Sequence, residues 1–326
     1  MHFNMDWHIE IGRYKLAMLD SVEIHKSVDL LADSCVIKLP ASIYNQALKI
    51  EDINGKDKIV RGDGVLVKLG YNGKLQEEFK GYLLNIGTDD GSITINCEDE
   101  LFLLRKAVRD KEFKNKTVKE IAQYLLVETG LNVSLRLNCS LTIDYDKFVI
   151  SKATAYDVLK KLQEETKGNI YIKNGALNIH PPYVENHGAV AYSFQVNIEQ
   201  SDLKYKRAED KKIEIVVESV GKDGKKKFFS YGTSGGDKKT VTGDGMSEKG
   251  IIEKAKNEYD LLIYDGYEGS ITTWLIPYVE NGYSATIKDE DYEYKDGTYY
   301  VTAVTTTMNN SGGVRKVQLG KKLANG

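Results

Sequence analysis

The first hundred residues consist of short runs in which apolar and polar side chains alternate. Residues 22–28 and 35–39 alternate in this way, and the second run stops at Pro40. The Asn72-Gly73 pair is a strong signal for a hairpin turn. The strands predicted in this region are residues 7–11, 14–18, 22–28, 35–39, 65–69, 79–86 and 92–97. Many short strands separated by turn residues indicate a β-barrel or a β-sandwich.

The periodicity becomes helical after Leu101. Thr117 and Glu120 form a T-x-x-E capping box, and Gly130 stands where a C-terminal cap belongs. The apolar stripe between them consists of Val118, Ile121, Ala122, Leu125 and Leu126. Spacings of three and four residues place this stripe on one helix face. A first helix is therefore predicted here.

A second helix is predicted with the same signals. Thr154 and Asp157 open it, and Gly168 is the predicted stop. Its apolar face consists of Val158, Leu159 and Leu162. Short strands are predicted after the two helices, at residues 132–137 and 169–173, and a turn at Asn174-Gly175 leads into a further strand at residues 176–180. Together these elements form a small α/β module.

Strand patterns return after about residue 190. Residues 211–220 and 225–231 flank the Asp-Gly turn at 221–224, and one helix begins after Ser247. Further strands are predicted at residues 270–276, 283–288, 299–307 and 314–319. The predicted fold is thus mixed and β-rich, of the α+β class, with two β-barrel domains and a small α/β module between them. The predicted boundaries are 1–104 for the first barrel, 105–189 for the α/β module and 190–326 for the second barrel with its helix.

Charge and composition exclude several functional classes. The 326 residues include 45 basic and 48 acidic ones, for a net charge of −3, so the chain as a whole is not an electrostatic nucleic-acid binder. No run of about 18 apolar residues is present, so no membrane-spanning helix is predicted. The N-terminus lacks the pattern of a signal peptide. Cys35, Cys97 and Cys139 are odd in number and far apart, which argues against a disulfide framework or a structural zinc site and favours a reducing compartment.

One motif resembles the nucleophile elbow of hydrolases. Residues 232–236 read GTSGG and match G-x-S-x-G with Ser234 as the nucleophile. That chemistry needs a strand before the serine and a helix directly after it. Residues 237–241 do not look like a helix start. We interpret the motif as a glycine-rich loop tip.

The other candidate residues are also better explained by structural roles than by catalysis or metal binding. The histidines are His2, His8, His25, His180 and His187, and none forms an i, i+4 pair on a predicted helix that could bind a metal. The tightest acidic clusters are Glu98, Asp99 and Glu100, and Asp289, Glu290, Asp291 and Glu293. A glycosidase-like carboxylate pair is a hypothesis for these clusters, although adjacent carboxylates are usually solvated loops.

Two short patterns have equally simple interpretations. Arg61-Gly62-Asp63 spells a cell-adhesion tripeptide, but the turn into the following strand explains it. Lys222 and the three lysines at 225–227 form a basic patch that we interpret as a solvated hairpin edge. The sequence therefore predicts no catalytic, cofactor-binding or metal-binding residues and no cofactor, and it favours a structural or binding role over an enzyme.

The order of several segments resembles a known family. They are residues 35–40 (CVIKLP), 62–67 (GDGVLV), 79–83 (FKGYL), 95–99 (INCED), 153–159 (ATAYDVL), 197–199 (NIE), 203–205 (LKY), 297–301 (GTYYV) and 319–320 (LG). Their order over some 280 residues resembles the phage baseplate hub proteins of the late control gene D family. The same fold forms the N-terminal part of type VI secretion spike proteins.

The resemblance implies a structural protein rather than an enzyme. It implies two similar barrels per chain and a homotrimeric ring of pseudo-sixfold symmetry, which joins the tail tube to the central spike. The implied partners are other copies of the chain and tail-tube, spike and baseplate proteins, with DNA passing through the lumen without specific binding and with no membrane insertion. The implied location is a virion or phage-like particle, after synthesis in the bacterial cytoplasm. Because the sequence ends at Gly326, we expect any cell-wall enzyme to be a separate protein. The alternatives are a tail-associated cell-wall hydrolase that uses Glu98, Asp99 or Asp291, and a carbohydrate-binding β module that uses exposed tyrosines.

Overall fold

The computed structural model describes residues 4–40, 59–89, 92–220, 226–293 and 296–323. The strands up to residue 98 are β1 (Met5–Ile11), β2 (Tyr14–Lys15), β3 (Ser21–Ser27), β4 (Ser34–Pro40), β5 (Gly64–Tyr71), β6 (Lys74–Asp89) and β7 (Ser92–Glu98). The next elements are β8 (Lys111–Thr117), α1 (Val118–Thr129), β9 (Arg136–Cys139), β10 (Asp144–Ile150), α2 (Ala155–Thr166), β11 (Asn169–Lys173) and β12 (Ala176–His180).

The remaining elements are again mainly strands. They are β13 (Ala189–Ser193), β14 (Gln200–Ser201), β15 (Lys204–Lys206), β16 (Ile213–Val220), β17 (Lys226–Gly232), β18 (Asp237–Thr242), α3 (Glu248–Leu262), β19 (Gly266–Glu268), β20 (Ser270–Trp274), β21 (Ser284–Lys288), β22 (Gly297–Asn309) and β23 (Gly312–Lys322). The predicted β-rich α+β class is confirmed. Within the described residues, no helix is long and apolar enough to cross a membrane.

The contacts of the chain fall into two compact units. The sheet unit comprises Met1–Phe102, His187–Lys204 and Glu268–Gly326, and the α/β unit comprises Leu103–Asn186 and Tyr205–Tyr267. Each unit is thus assembled from separate stretches of chain. The three-domain division at residues 104 and 189, and the closure of the strands into two barrels, stay predictions.

The sheet unit joins the two ends of the chain through one strand pair. Strands β1, β5, β6, β7, β4 and β3 follow one another in antiparallel order, and β22 pairs with β3 so that Met308 lies opposite Val22. Strand β22 then pairs with β23, and β23 with β20. The alternating apolar residues of these strands form one buried core, which includes Ile9, Ile11, Val22, Ile24, Cys35, Ile37, Leu39, Val65, Val67, Leu69, Phe79, Leu83, Ile93, Ile95, Cys97, Leu275 and Met308. Burial of one face explains why the alternation predicted these strands well.

The α/β unit contains three small sheets and the three helices. Strand β10 pairs with β8, β12 lies between β11 and β9, and β16 lies between β17 and β18. Both capping boxes form as predicted, because the Thr117 hydroxyl accepts from the Glu120 amide and the Thr154 hydroxyl accepts from the Asp157 amide. Ser247 caps α3. The stripes of α1 and α2 are buried, and Leu125 and Leu159 are fully covered.

Several sequence predictions for the secondary structure were wrong in detail. A strand was predicted at residues 132–137, but a 3-10 turn forms at Leu131–Val133 and the short β9 begins only at Arg136. Strand β2 is two residues long, whereas residues 14–18 were predicted. Helix α2 ends one residue earlier than predicted, because Lys167 and not Gly168 adopts the left-handed cap conformation. Strands β8, β10 and β18 were not predicted, because their lysines and acidic residues obscure the alternation. The predicted turn at residues 221–224 lies outside the described residues.

Candidate functional site

Ser234 lies in a loop that joins two strands. The loop, residues 233–236, connects β17 to β18, and these strands flank β16 on opposite sides. The loop crosses the start of β16, where Thr233 donates to the Ile213 carbonyl. A Cβ atom at Gly236 would lie 2.4 Å from the carbonyl oxygen of Lys212, so only glycine fits this crossing. Because a strand and not a helix follows Ser234, the elbow geometry is not formed.

The first acidic cluster is part of the backbone scaffold. One Asp99 carboxylate oxygen accepts from the Asp33 amide at 2.9 Å, and the other accepts from the Leu101 amide at 2.9 Å. Burial and the neighbouring Asp33 carboxylate raise the pKa of Asp99 well above its usual range. Glu98 is buried at the end of β7. Asp99 therefore fixes two turns, and both of its oxygens are occupied.

The second acidic cluster is a turn in the sheet unit. The Asp289 carboxylate accepts from the amides of Asp291 and Tyr292 at 3.1 and 3.2 Å. The Asp289 amide donates to Asp296 at 2.8 Å. Asp291 and Glu293 are exposed. The cluster caps the loop after β21, as a local Asx-type turn does.

The described histidines lie in separate places. His8 contacts Glu10 at 2.8 Å, His25 contacts the Thr305 hydroxyl at 2.9 Å, and His180 contacts the Ser140 hydroxyl at 2.7 Å. His187 forms a backbone hydrogen bond with Gly282, and His2 lies outside the described residues. Among the described residues, no group of three or more His, Cys, Asp or Glu side chains could hold a metal ion.

The remaining sequence candidates have structural roles. Gly62 and Asp63 form the turn before β5, in which the Asp63 carboxylate accepts from the Val60 amide at 2.8 Å. Lys226 contacts Glu218 across the β16–β17 pair. Lys222 and Lys225 lie outside the described residues. The sequence interpretation of these two patterns as a turn and a hairpin edge thus agrees with the described geometry.

A buried ion pair in the sheet unit was not foreseen. Arg315 on β23 is fully buried, and Glu78 on β6 is 2% exposed. Their side chains form a two-pronged contact of 2.8 and 3.1 Å. Arg315 also donates to the carbonyls of Leu275 and Val279, at 2.8 and 3.2 Å. Burial raises the pKa of Glu78, although the positive charge of Arg315 opposes this rise. The pair ties the N-terminal strands to the C-terminal strands, 237 residues apart.

Exposed apolar residues form a patch at one end of β20 and β23. Trp274 and Val314 are cross-strand neighbours and are 49% and 39% exposed. Ile276, two residues after Trp274, is 52% exposed. Contiguous exposed apolar side chains are typical of contact surfaces between proteins. We name these three residues the Trp274 patch.

The α/β unit contains an open cleft of about 880 Å³. Its lining residues are Asp146, Lys147, Phe148, Val149, Lys161, Glu165, Val217, Ser219, Val220, Lys227, Phe228, Phe229, Asp244, Gly245, Met246, Glu248 and Ile251. This volume lies within the range of about 300–1,000 Å³ that is usual for ligand sites. No sequence pattern pointed to the cleft, because its residues come from five elements (β10, α2, β16, β17 and α3) and the loop before α3, which only the tertiary fold brings together.

The model of a known protein family matches most of the chain. The model of the Alg8 N-terminal domain matches residues 14–223. The chain belongs to the Alg8 N-terminal domain family. A search of curated proteins gave no match. The narrower resemblance to the late control gene D family stays a proposal.

Solved structures share the fold of this family member along nearly its whole length. The tail protein from Neisseria meningitidis MC58 has a TM-score of 0.64 at 14% identity, over 97% of this chain and 96% of its own. The 43 kDa tail protein of prophage MuSo2 from Shewanella oneidensis has a TM-score of 0.63 at 14% identity, over 98% and 97%. The E. coli c3393 protein, a component of the type VI secretion system, has a TM-score of 0.59 at 11% identity, over 97% and 77%. At these identities the likeness establishes a common fold.

Proposed function

We propose that the chain is a structural hub protein of a phage tail or phage-like injection device. The observation that carries this proposal is the shared fold with two tail proteins over at least 96% of each chain. A likeness of this extent includes both units and their order in the sequence. The protein would be assembled into a tail baseplate in a virion or phage-like particle, after synthesis in the bacterial cytoplasm.

The proposed assembly is a homotrimeric ring that joins the tail tube to the central spike. Two strand sets in the sheet unit, from the N-terminal and C-terminal parts of the chain, are compatible with two similar halves per subunit. Three such subunits would present six similar halves, which adapts a sixfold tube to a threefold spike. Tail-tube, spike and baseplate proteins would be its partners, and DNA would pass through the lumen without specific binding.

The role is proposed to be non-enzymatic. Ser234 lacks the helix that an elbow needs, and Asp99 uses both carboxylate oxygens to bind backbone amides. Assembly requires complementary surfaces instead, and the Trp274 patch offers one. We propose that this patch contacts a neighbouring subunit or tail protein.

The first experiment is a measurement of solution mass by light scattering over a range of concentrations. The chain has a mass of 36.6 kDa, so a trimer would weigh about 110 kDa. The hub proposal expects this mass from the chain alone or, where the spike is needed to close the ring, a complex that contains three copies of the chain together with the spike protein. Trp274→Asp should lower the trimer fraction, whereas Val133→Asp, at a residue that is 90% exposed in the α/β unit, should leave it unchanged.

A second assay separates the hub from the hydrolase alternative. The purified chain is incubated with peptidoglycan, and soluble fragments are measured for the parent chain and for Asp291→Asn. The hub proposal expects no release from either protein. A monomeric mass with and without spike, together with release that Asp291→Asn abolishes, would replace the hub with a cell-wall hydrolase.

A further inference from the structure

Two cysteines face each other across neighbouring strands of the sheet unit. Cys35 on β4 lies directly opposite Cys97 on β7. Both side chains belong to the same buried core, with 0% and 2% of their surface exposed. The two positions are 62 residues apart, so the sequence gave no sign that they meet. The fold thus brings two free thiols together inside one hydrophobic core.

The hydrogen bonds between β4 and β7 define the spacing of the two cysteines. Directly beyond the ends of the two strands, the Asp99 amide donates to the Asp33 carbonyl at 3.1 Å. Hydrogen-bonded and non-hydrogen-bonded pairs alternate in an antiparallel ladder, so Cys35 and Cys97, two steps further in, form a hydrogen-bonded pair. The Cα atoms of such a pair are about 5.5 Å apart. Cysteines that form a disulfide most often have Cα atoms about 5.5–6 Å apart.

The surroundings of the two thiols make them slow to react while the core is closed. Burial and a hydrogen bond with the Cys97 thiol raise the pKa of the Cys35 thiol well above its usual range. The thiolate is the form that attacks a disulfide, and burial also excludes the oxidant. Oxidation of the folded chain therefore requires a transient separation of β4 and β7.

We propose that Cys35 and Cys97 form a cross-strand disulfide when the protein leaves a reducing compartment, and that this bond locks β4 to β7. The change of compartment rests on the proposed function, in which the chain is made in the cytoplasm and becomes part of a released particle. Thiols stay reduced in the cytoplasm, whereas disulfides persist outside the cell. The bond closes a loop of about 60 residues, which restricts the unfolded chain and stabilises the folded sheet unit.

The reaction is an exchange with a small-molecule disulfide such as oxidised glutathione. One cysteine forms a mixed disulfide with one half of the oxidant and releases the other half as a thiol. The second cysteine then attacks the cysteine sulfur of the mixed disulfide and releases the remaining glutathione thiol. The two cysteines together lose two electrons and two protons, and oxidised glutathione gains them.

The test uses the full chain with Cys139→Ser, which removes the third thiol. The protein is unfolded and then refolded with reduced or oxidised glutathione. Remaining thiols are alkylated under denaturing conditions and counted by intact mass spectrometry. We expect two alkylated thiols after refolding with reduced glutathione. With oxidised glutathione we expect none and no bound glutathione, and peptide mapping should identify the link between Cys35 and Cys97.

A second arm follows the folded protein without refolding. Folded Cys139→Ser is incubated with oxidised glutathione, and the fraction of linked chain is measured over several days. We expect slow conversion to the linked form. Low urea concentrations that leave the protein folded should accelerate the conversion, because they favour the transient separation of β4 and β7.

Urea unfolding measures whether the bond stabilises the native strand pair. Tryptophan fluorescence reports on the sheet unit, which contains both tryptophans. A reductant in the urea series should lower the midpoint of the linked protein by about 1–2 M, which is the effect of opening a loop of this length. The matched control is the Cys97→Ser, Cys139→Ser double variant, which cannot form the bond. Its midpoint should be the same with and without reductant.

Three results would overturn the proposal. The first is refolding with oxidised glutathione that leaves both thiols alkylated or bound to glutathione. The second is a folded protein that never converts to the linked form, which would exclude locking after release. The third is a linked chain whose midpoint is equal to or below that of the reduced chain. A disulfide without a trimer mass would refute the hub proposal alone, and a trimer without a disulfide would refute this proposal alone.

Discussion

The buried pair of Glu78 and Arg315 makes the most specific prediction about stability. Replacing Glu78 with Gln preserves the shape of the side chain and removes its charge. Arg315 then remains fully buried without a counter-ion. Its hydrogen bonds to the carbonyls of Leu275 and Val279 persist, so some of the N–H groups of the guanidinium keep their acceptors. The positive charge is nevertheless left uncompensated in the interior of the sheet unit.

The expected loss of unfolding free energy follows from these contacts. Removing one partner of a buried ion pair costs about 3–5 kcal/mol of unfolding free energy. We expect about 3 kcal/mol for Glu78→Gln, because the two carbonyl contacts of Arg315 remain. With a urea dependence of about 2 kcal/mol per molar, the unfolding midpoint should fall by about 1.5 M. Arg315→Gln should also destabilise the sheet unit, and the double variant should lose less than the sum of the two single variants.

Tryptophan fluorescence during urea unfolding is the appropriate assay. The chain has two tryptophans, Trp7 and Trp274, and both lie in the sheet unit, so the signal reports on this unit. Glu10→Gln is the control, since Glu10 contacts His8 and Lys15 at the surface, and its midpoint should stay that of the parent chain. A Glu78→Gln midpoint equal to the parent value would refute the reasoning. Strict additivity of the two single variants would refute it as well.

The remaining predictions concern the helices and the loop of the α/β unit. Leu125→Asp and Leu159→Asp should each unfold this unit, because a charge would be buried without a partner; helical far-UV circular dichroism that survives in both variants would contradict the helix-face assignment. Acid should weaken the N-terminal turns of α1 and α2. In α1, hydrogen bonds from Lys116 and Thr117 lower the pKa of Glu120 to about 2. In α2, hydrogen bonds from Thr154 lower the pKa of Asp157. A carboxylate whose pKa is lowered by folding stabilises the folded state above its unfolded pKa, and this contribution is lost as the pH falls toward about 2. The Glu120→Gln, Asp157→Asn double variant should therefore lose less helical signal on acidification than the parent chain, and an identical pH profile would count against the capping assignment. Ser234→Ala should leave trimer mass unchanged and abolish no activity, since Ser234 lies in a strand-to-strand loop; loss of a measured hydrolase activity would restore the elbow interpretation.

Local signals in the sequence predicted much of the secondary structure. Both capping boxes, the apolar stripes of α1 and α2 and the alternation of β3, β4 and β7 were read correctly. These signals depend on residues three or four positions apart in a helix and two apart in a strand. Predictions were poorer for β8 and β10, where exposed lysines on a two-stranded sheet remove the apolar alternation.

For the candidate sites, in contrast to the secondary structure, the sequence was a poor guide. The sequence drew attention to Ser234 and to the acidic clusters, which the structure places in loops and turns. It gave no signal for the ion pair of Glu78 and Arg315 or for the cleft beside Phe228. A charged residue inside a strand pattern hints at a buried partner, but its partner lies 237 positions away and many other residues could have been that partner.

The sequence by itself determined the β-rich α+β class, the three helices with their N-terminal caps, and the positions of many strands. These features arise from hydrogen bonds and hydrophobic periodicity within a few residues, so the local sequence contains the information. The tertiary structure decided that β22 pairs with β3, that the two ends of the chain share one core, and that the cleft exists. These features depend on contacts between residues far apart in the chain, and their free energy is gained only when the whole unit closes around a common core.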